Sequence, residues 1–240
     1  GGSVEVQWTA TGHPGRVTAI TPAGTKFVTT YSYDLTGHVT SIVAPDGKTT
    51  ALTWDRAGRL TRISRPSGVE TSYSYAELDR PIAIEQSMGG RTLMEHRYKY
   101  DSGGRVIEIV SPKETTQYAY DALGRLAYEK RLTGGVVIEE KKREYDATGN
   151  LIKLTDGRGA TTFSYDSDDR LLSSSGPDGL TQYHYNGRGA LTKVETAKGT
   201  STSYSYNALD RLVSVLRSDG IEVKYKYDVR GRLVARDDGS

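Results

Sequence analysis

The chain has 240 residues, 35% of them hydrophobic, and its mean hydropathy of -0.57 leaves too little apolar material for the deep core that a compact domain of this length buries. Its 32 basic and 30 acidic residues leave a net charge of +2, so electrostatics gives no basis for binding nucleic acid or an anionic membrane. Without Cys there are no disulfides, thiolate metal sites or cysteine nucleophile, and no apolar run nears the ~18 residues of a membrane helix.

Taken from the N terminus, Gly1-Gly2-Ser3-Val4 does not resemble a signal peptide, and the abrupt ends lead us to expect a piece of a longer chain. Residues 1–30 read as a degenerate repeat, with Gly15-Arg16-Val17-Thr18 as its tail and Thr11 in its aromatic position. From there a strict pattern begins, anchored on Tyr33, Trp54, Tyr75, Tyr100, Tyr120, Tyr145, Tyr165, Tyr185, Tyr206 and Tyr227. The anchors are spaced by 21, 21, 25, 20, 25, 20, 20, 21 and 21 residues, a regularity that composition alone does not produce. We therefore expect one array spanning 1–240 with about ten hairpin repeats.

The second position of the repeat is Asp34, Asp55, Ala76, Asp101, Asp121, Asp146, Asp166, Asn186, Asn207 and Asp228. Short carboxylate or amide side chains there bond backbone N–H groups two residues on and start a turn. The fifth position is Gly37, Gly58, Asp79, Gly104, Gly124, Gly149, Asp169, Gly189, Asp210 and Gly231. Every departure from Gly is Asp, a residue that tolerates positive φ, so the pattern predicts a type I turn closed by a glycine bulge.

Before each turn, pairs such as Tyr31 and Tyr33 or Tyr73 and Tyr75 alternate with period two and predict a strand. After it comes a short run such as Leu60-Thr61-Arg62-Ile63 or Val106-Ile107-Glu108-Ile109, closed by a second turn signal such as Pro45-Asp46-Gly47 or Pro177-Asp178-Gly179. The apolar residues of these runs fall at i and i+3, which leaves their inward face open; a register change at the bulge would account for it. Two longer repeats carry Met88-Gly89-Gly90-Arg91 and Thr133-Gly134-Gly135-Val136, which suit two-residue hairpin loops on projecting strands.

About twenty short antiparallel strands exceed what an open twisted sheet holds without curling, so the expectation is an all-β fold of tandem hairpins forming a spiral, curved sheet. A β-propeller needs four-stranded blades of ~40 residues, and odd and even copies here do not alternate. The end strands would be free edges open to self-association.

A Tyr-Asp-x-x-Gly-Arg-Leu unit recurring every 20 to 25 residues, cleanest from Tyr120 to Leu126, resembles the Rhs or YD-repeat family of bacterial polymorphic toxins, the C component of Tc toxins and the teneurin shell. The resemblance implies a segment of a hollow β-shell from a secreted or cell-surface, bacterial protein, with the rest of the parent shell and an enclosed C-terminal toxin as its partners. Toxin-bearing members end the shell with a self-cleaving DPxG-type motif, and none of the seven prolines here follows an Asp. The alternative function that the resemblance leaves is an extracellular module binding glycan or protein.

The sequence offers no catalytic, cofactor or metal set. His13, His38, His96 and His184 are scattered, and His38 stands where most copies have Arg. Gly157-Arg158-Gly159-Ala160 and Gly187-Arg188-Gly189-Ala190 lack the completed phosphate-loop motif, and Asp166, Asp168 and Asp169 lack calcium-loop spacing. The recurrent Arg59, Arg80, Arg105, Arg125, Arg170, Arg211 and Arg232 are expected to pair with carboxylates of adjacent repeats and to cover Tyr rings. Glu139-Glu140-Lys141-Lys142-Arg143 reads as a solvated strand.

Overall fold

A computed structural model describes residues 2–239. Among them there are 22 β-strands and one 3-10 turn, Glu77–Asp79, and no α-helix. The chain divides into two compact bodies, one holding the residues up to Tyr118 together with Arg131–Val136, the other Ala119–Lys130 and the residues from Val137 on.

In the first body the strands β1 (Ser3–Trp8), β2 (Pro14–Ile20), β3 (Lys26–Tyr33), β4 (Val39–Val43), β5 (Thr49–Trp54), β6 (Leu60–Ser64), β7 (Val69–Tyr75), β8 (Pro81–Met88), β9 (Arg91–Tyr100) and β10 (Val106–Val110) follow one another, each pairing antiparallel with the next. β10 pairs in turn with β11 (Thr115–Tyr120), and β12 (Leu126–Thr133) leads on to β13 (Val136–Tyr145). The second body repeats the scheme through β14 (Leu151–Asp156), β15 (Gly159–Tyr165), β16 (Leu171–Gly176), β17 (Gly179–Tyr185), β18 (Leu191–Thr196), β19 (Ser201–Tyr206), β20 (Leu212–Arg217), β21 (Glu222–Tyr227) and β22 (Leu233–Asp237).

Every ladder described across a Tyr-Asp turn slips by one residue at the aromatic. Thr53 faces Arg62 while Trp54 faces Leu60, so Thr61 is an extra, bulged residue. The bulge explains the i, i+3 spacing that left the inward face undetermined: Leu60 and Ile63 lie on one face because the slip removes Thr61 from the alternation. On that face Tyr31 opposes Ile42, Leu52 opposes Ile63, Tyr73 opposes Ile84, and Tyr183 opposes Val194. The other face pairs small or charged residues, with Ser32 opposite Ser41 and Lys99 opposite Glu108 at 2.6 Å.

Among the described residues no hydrophobic side chain is fully buried. This agrees with the thin architecture that the low apolar content demands. The most buried side chain is Thr71, 2% exposed, whose hydroxyl accepts a hydrogen bond from Arg65 Nη1 at 2.6 Å.

The expected Gly-Gly loops are present, joining β8 to β9 and β12 to β13, with φ of 57° and 78° at Gly89 and Gly90 and of 57° and 82° at Gly134 and Gly135. Consecutive positive φ marks a type I′ turn. The strands flanking them have 8 and 10 residues, against 5 in β4, β6 and β10.

The N-terminal repeat needs a correction. Its turn runs from Thr9 to His13, with Gly12 at φ 81°, Thr9 N–H bonded to the His13 carbonyl at 2.7 Å and Trp8 facing Pro14 across a register slip. The aromatic position is therefore Trp8, 25 residues ahead of Tyr33, and not Thr11. Thr9 fills the Asp position: its hydroxyl accepts from the His13 N–H at 3.1 Å.

Candidate functional site

The chemistry-bearing residues of the repeat converge where each repeat meets the next. Within the turn, the Asp carboxylate accepts from two backbone amides and one side chain. Asp55 Oδ1 takes the N–H groups of Ala57 at 2.9 Å and Arg59 at 3.0 Å, and its Oδ2 takes Arg59 Nε at 2.8 Å. Asp121 does the same with Leu123 at 2.9 Å, Arg125 N at 2.9 Å and Arg125 Nε at 2.6 Å. Asp101, Asp166 and Asp228 each hold the Arg four residues on through Nε, at 2.7, 2.6 and 2.7 Å. Asp34 grips His38 instead, while Asp146 holds Asn150 Nδ2 at 3.1 Å. Asn186 and Asn207 keep the amide bonds, at 3.0 Å to Ala190 and 3.1 Å to Arg211.

These bonds hold the carboxyls below their ordinary range. The Arg59 amide lowers Asp55, the Arg170 amide lowers Asp166 and the Arg232 amide lowers Asp228, and Asp34, bonded first by the Thr36 hydroxyl, is lowered to about 2. Fifth-position φ is positive in all ten copies, from 56° at Asp210 to 105° at Gly149. At Ala76, which supplies no carboxylate, the turn tightens into the 3-10 segment and Leu78 also takes φ 61°.

The cation held by one turn then reaches the next repeat. Arg59 lies over the Tyr75 ring at 4.9 Å, Arg80 over Tyr100 at 5.9 Å, Arg125 over Tyr145 at 4.8 Å, Arg170 over Tyr185 at 5.5 Å and Arg211 over Tyr227 at 5.7 Å. His38 stacks on Trp54 at 4.7 Å, and His13 stacks on Tyr33 at 4.8 Å. Of the seven Arg residues, Arg59, Arg80, Arg125, Arg170 and Arg211 cover rings as expected, whereas pairing differs from the expectation: the main carboxylate partner of Arg59, Arg105, Arg125, Arg170 and Arg232 is the Asp of the same turn. Arg59 reaches across to Asp79 as well, at 3.3 Å.

The covered ring completes the clamp through its polar tip. Tyr33 donates its hydroxyl to the Pro14 carbonyl at 2.9 Å, Tyr75 to Leu60 at 2.7 Å, Tyr100 to Pro81 at 2.6 Å and Tyr145 to Leu126 at 2.9 Å. Tyr165, Tyr185, Tyr206 and Tyr227 donate likewise to Leu151, Leu171, Leu191 and Leu212 at 2.9–3.0 Å. Trp54 replaces the hydroxyl with its indole N–H, 2.8 Å from the Val39 carbonyl. Each acceptor is the first residue after the preceding turn or its immediate neighbour in that strand. Burial raises the Tyr75, Tyr100 and Tyr165 hydroxyls above their ordinary range, which keeps them protonated donors.

Sequence reasoning found the turn residues and the cation stripe but missed the hydroxyl-to-carbonyl bond and the part played by His13. A signal for both was present. Every anchor is Tyr or Trp and none is Phe, so each carries a donor, and Trp8-x-x-x-Gly12-His13 repeats the spacing of Trp54-x-x-x-Gly58-Arg59.

The run Glu139–Arg143 is less solvated than expected. Arg143 takes the place of the ring two residues before the anchor, pairs with Glu129 at 2.8 Å, is 19% exposed, and buries its Nη1 without a partner. Among the described residues no group of three or more His, Asp or Glu is placed to hold a metal. Asp166 and Asp168 both engage Arg170, and Gly157-Arg158 and Gly187-Arg188 sit in turns between strands.

The Teneurin YD-shell family pattern matches residues 12–134 and again 69–240. No curated protein matches the sequence. Among solved structures the chain is similar to one in the crystal structure of TcdB2-TccC3-Cdc42, at 16% identity and a TM-score of 0.64, covering 98% of this chain and 15% of that one. It is similar to one in TcdB2-TccC3 without hypervariable C-terminal region, at 17% identity, TM-score 0.63 and the same two coverages, 98% and 15%. A chain of the Photorhabdus luminescens Tc holotoxin pore matches at 16% identity and TM-score 0.63, again with 98% and 15% covered. The fold is shared across nearly all of this chain, which spans about 15% of the length of the chains it matches. With the repeat, its inter-repeat clamp and a family match over residues 12–240 in agreement, the chain belongs to the Teneurin YD-shell family, a structural shell domain.

Proposed function

We propose that this chain is a stretch of the wall of a hollow β-shell that encloses a C-terminal toxin segment of its parent protein, and that it has no catalytic activity of its own. The observation that carries the reading is the clamp: the same ring, cation and carbonyl contacts recur from repeat to repeat, so the polar residues of the motif are engaged in holding neighbours together. Such a wall works by exclusion. It needs continuity along its length and no converging reactive group.

The likeness to chains of Tc toxin assemblies supports a shell whose other walls are further repeats of the parent, and one of those structures is described as lacking a hypervariable C-terminal region. A shell separable from a variable tail is the arrangement a cargo container requires. The same reading makes the parent secreted or cell-surface, and bacterial. No helix among the described residues is long and apolar enough to cross a membrane.

The test is protease protection in the intact parent. The C-terminal segment should resist protease, and deletion of the repeats from Tyr100 to Tyr165 should expose it. Equal protection after the deletion contradicts the proposal. Tight binding of a defined glycan by the isolated chain, from a parent with no protected segment, would replace it with the binding-module reading.

A further inference from the structure

Along the array a side chain of one repeat covers the ring of the next, and its chemistry differs between joints. Arg59, Arg80, Arg125, Arg170 and Arg211 each place a guanidinium over the following ring. A guanidinium stays charged at any pH a protein meets. At Tyr33 and Trp54 an imidazole takes its place: His13 stacks on Tyr33 with planes 29° apart, and His38 on Trp54 with planes 19° apart. The replacement is positional, since the His13 ring lies 3.1 Å from where a Cβ of Gly37 would stand and the His38 ring 3.1 Å from that of Gly58, against 2.9 Å between Arg80 and Gly104. The two joints are consecutive, so the repeats anchored on Trp8, Tyr33 and Trp54 are linked through groups whose charge changes between about pH 5 and 8.

The surroundings of each ring decide which form it favours. His38 Nδ1 is 2.8 Å from the Thr36 hydroxyl and 3.2 Å from Asp34 Oδ2, and Asp34, lowered to about 2, keeps its negative charge throughout that range. From the next turn Trp54 and Gly58 meet the His38 ring, while the Asp55 carboxylate there is engaged by Arg59 at 2.8 Å. His13 Nδ1 is 3.1 Å from the Thr11 hydroxyl, and the other residues of its own turn carry no charge. From the next turn Tyr33 and Gly37 meet the His13 ring, and Asp34 is the charged group lining the same cleft. A neutral imidazole keeps only the stacking, whereas an imidazolium adds attraction to the ring face and, at His38, an ion pair. With its side chain 33% exposed, charged His38 retains much of its hydration, so burial does not cancel that attraction.

We propose that these two joints form a proton-operated section of the array: imidazolium at His13 and His38 tightens the contacts to Tyr33 and Trp54 in mild acid, and loss of those protons loosens them toward alkaline pH, while the Arg joints hold equally at both. The closed joint binds a proton more readily than the open one, so its contribution is full below the imidazole range and falls as pH rises through it. The sign is opposite to that of the turn carboxylates, whose contribution fades in strong acid. Each proton shifts the closing equilibrium of its joint by about 2- to 5-fold, the magnitude of an exposed cation–π contact. The ligand is the proton itself, and the section responds whether or not the parent encloses a cargo.

The experiment is a double-mutant cycle on the 240-residue chain, His38→Ala against Trp54→Leu, from denaturant melts at about pH 5.5 and about pH 8. The coupling, read as a ratio of unfolding constants, should be about 2- to 5-fold larger at the lower pH. His96 and His184 are present in every arm and cancel. The same cycle on Arg125→Ala and Tyr145→Leu should not change between the two pH values, and a chain carrying His38→Arg should couple to Trp54 equally at both. Should a leucine variant fail to fold, Trp54 emission in a Trp8→Phe chain replaces the cycle: it should change between the two pH values and cease to do so once His38→Arg is added. Equal coupling at both pH values, stronger coupling at the higher one, an Arg125 cycle that shifts by the same factor, or Trp54 emission that ignores pH overturns the proposal.

Discussion

At Gly104, Gly189 and Gly231, in the fifth position of the repeat, two demands meet on one glycine: a positive φ and room for the neighbouring guanidinium. They can be separated by experiment. Gly47, in a turn of the other series, has φ 78° and open space, while Gly104 has φ 84° with the Arg80 guanidinium 2.9 Å from its would-be Cβ. We expect Gly47→Ala to cost about 1 kcal/mol from backbone strain alone and Gly104→Ala to cost more, by roughly 0.5–1 kcal/mol as Arg80 leaves the Tyr100 ring. Gly124→Val should lose about 1–2 kcal/mol or more, and Gly124→Asn clearly less; denaturant melts compare them. Equal losses for Val and Asn would contradict the turn. Tyr165→Phe tests the donor, since Asn150 stands where other copies have a covering cation. Losing its bond to the Leu151 carbonyl should cost about 1 kcal/mol. Acid should act through the turn carboxylates. Their folded pKa values are depressed, so the stability they contribute is present above the unfolded value near 3.8 and is lost as pH falls toward about 2, where Asp34 titrates. Melting temperature followed from pH 5 to pH 2 should therefore decline mainly below about pH 4. At this scale the sequence was explicit about φ and about turn-starting oxygens, because Gly, Asp and Asn meet those demands most readily. It was silent on where each Arg goes, because a cation four residues from one carboxylate and about twenty from another can pair with either.

Between elements, the one-residue slip at each Tyr-Asp turn places rings, aliphatic residues and carbonyl acceptors on a common face. Alternation before the turn announced the strands, and the i, i+3 spacing after it was the trace of the bulge, legible only once pairing was known. The N-terminal repeat was misaligned for a related reason. Its Asp is replaced by Thr9 and its Arg by His13, so the two most distinctive letters of the motif are missing although the turn geometry persists. Coupling between neighbouring repeats can be measured directly. A double-mutant cycle on Arg125→Ala and Tyr145→Leu, whose groups lie 4.8 Å apart, should give an interaction energy of about 0.5–1 kcal/mol, and the same Arg125 variant combined with Tyr185→Leu should give one near zero. Comparable coupling to both rings would show that Arg125 acts on the array as a whole and not on its neighbour.

At the scale of the repeat array, strands with no fully buried apolar side chain among the described residues draw their stability from many equivalent nearest-neighbour contacts, as repeat proteins do. The low apolar content foretold this, and the repeat period foretold the family. What the sequence could not supply was the carbonyl that each ring meets, which depends on register and on strands about twenty residues apart. In the proposed wall no single repeat would be decisive, and a gap of several repeats would open a path inward. The most direct measurement is an electron cryo-microscopy map of the intact parent protein. We expect these repeats to form part of a continuous β-shell with density for the C-terminal segment inside it; a C-terminal segment resolved outside the shell, in solvent, would contradict the account.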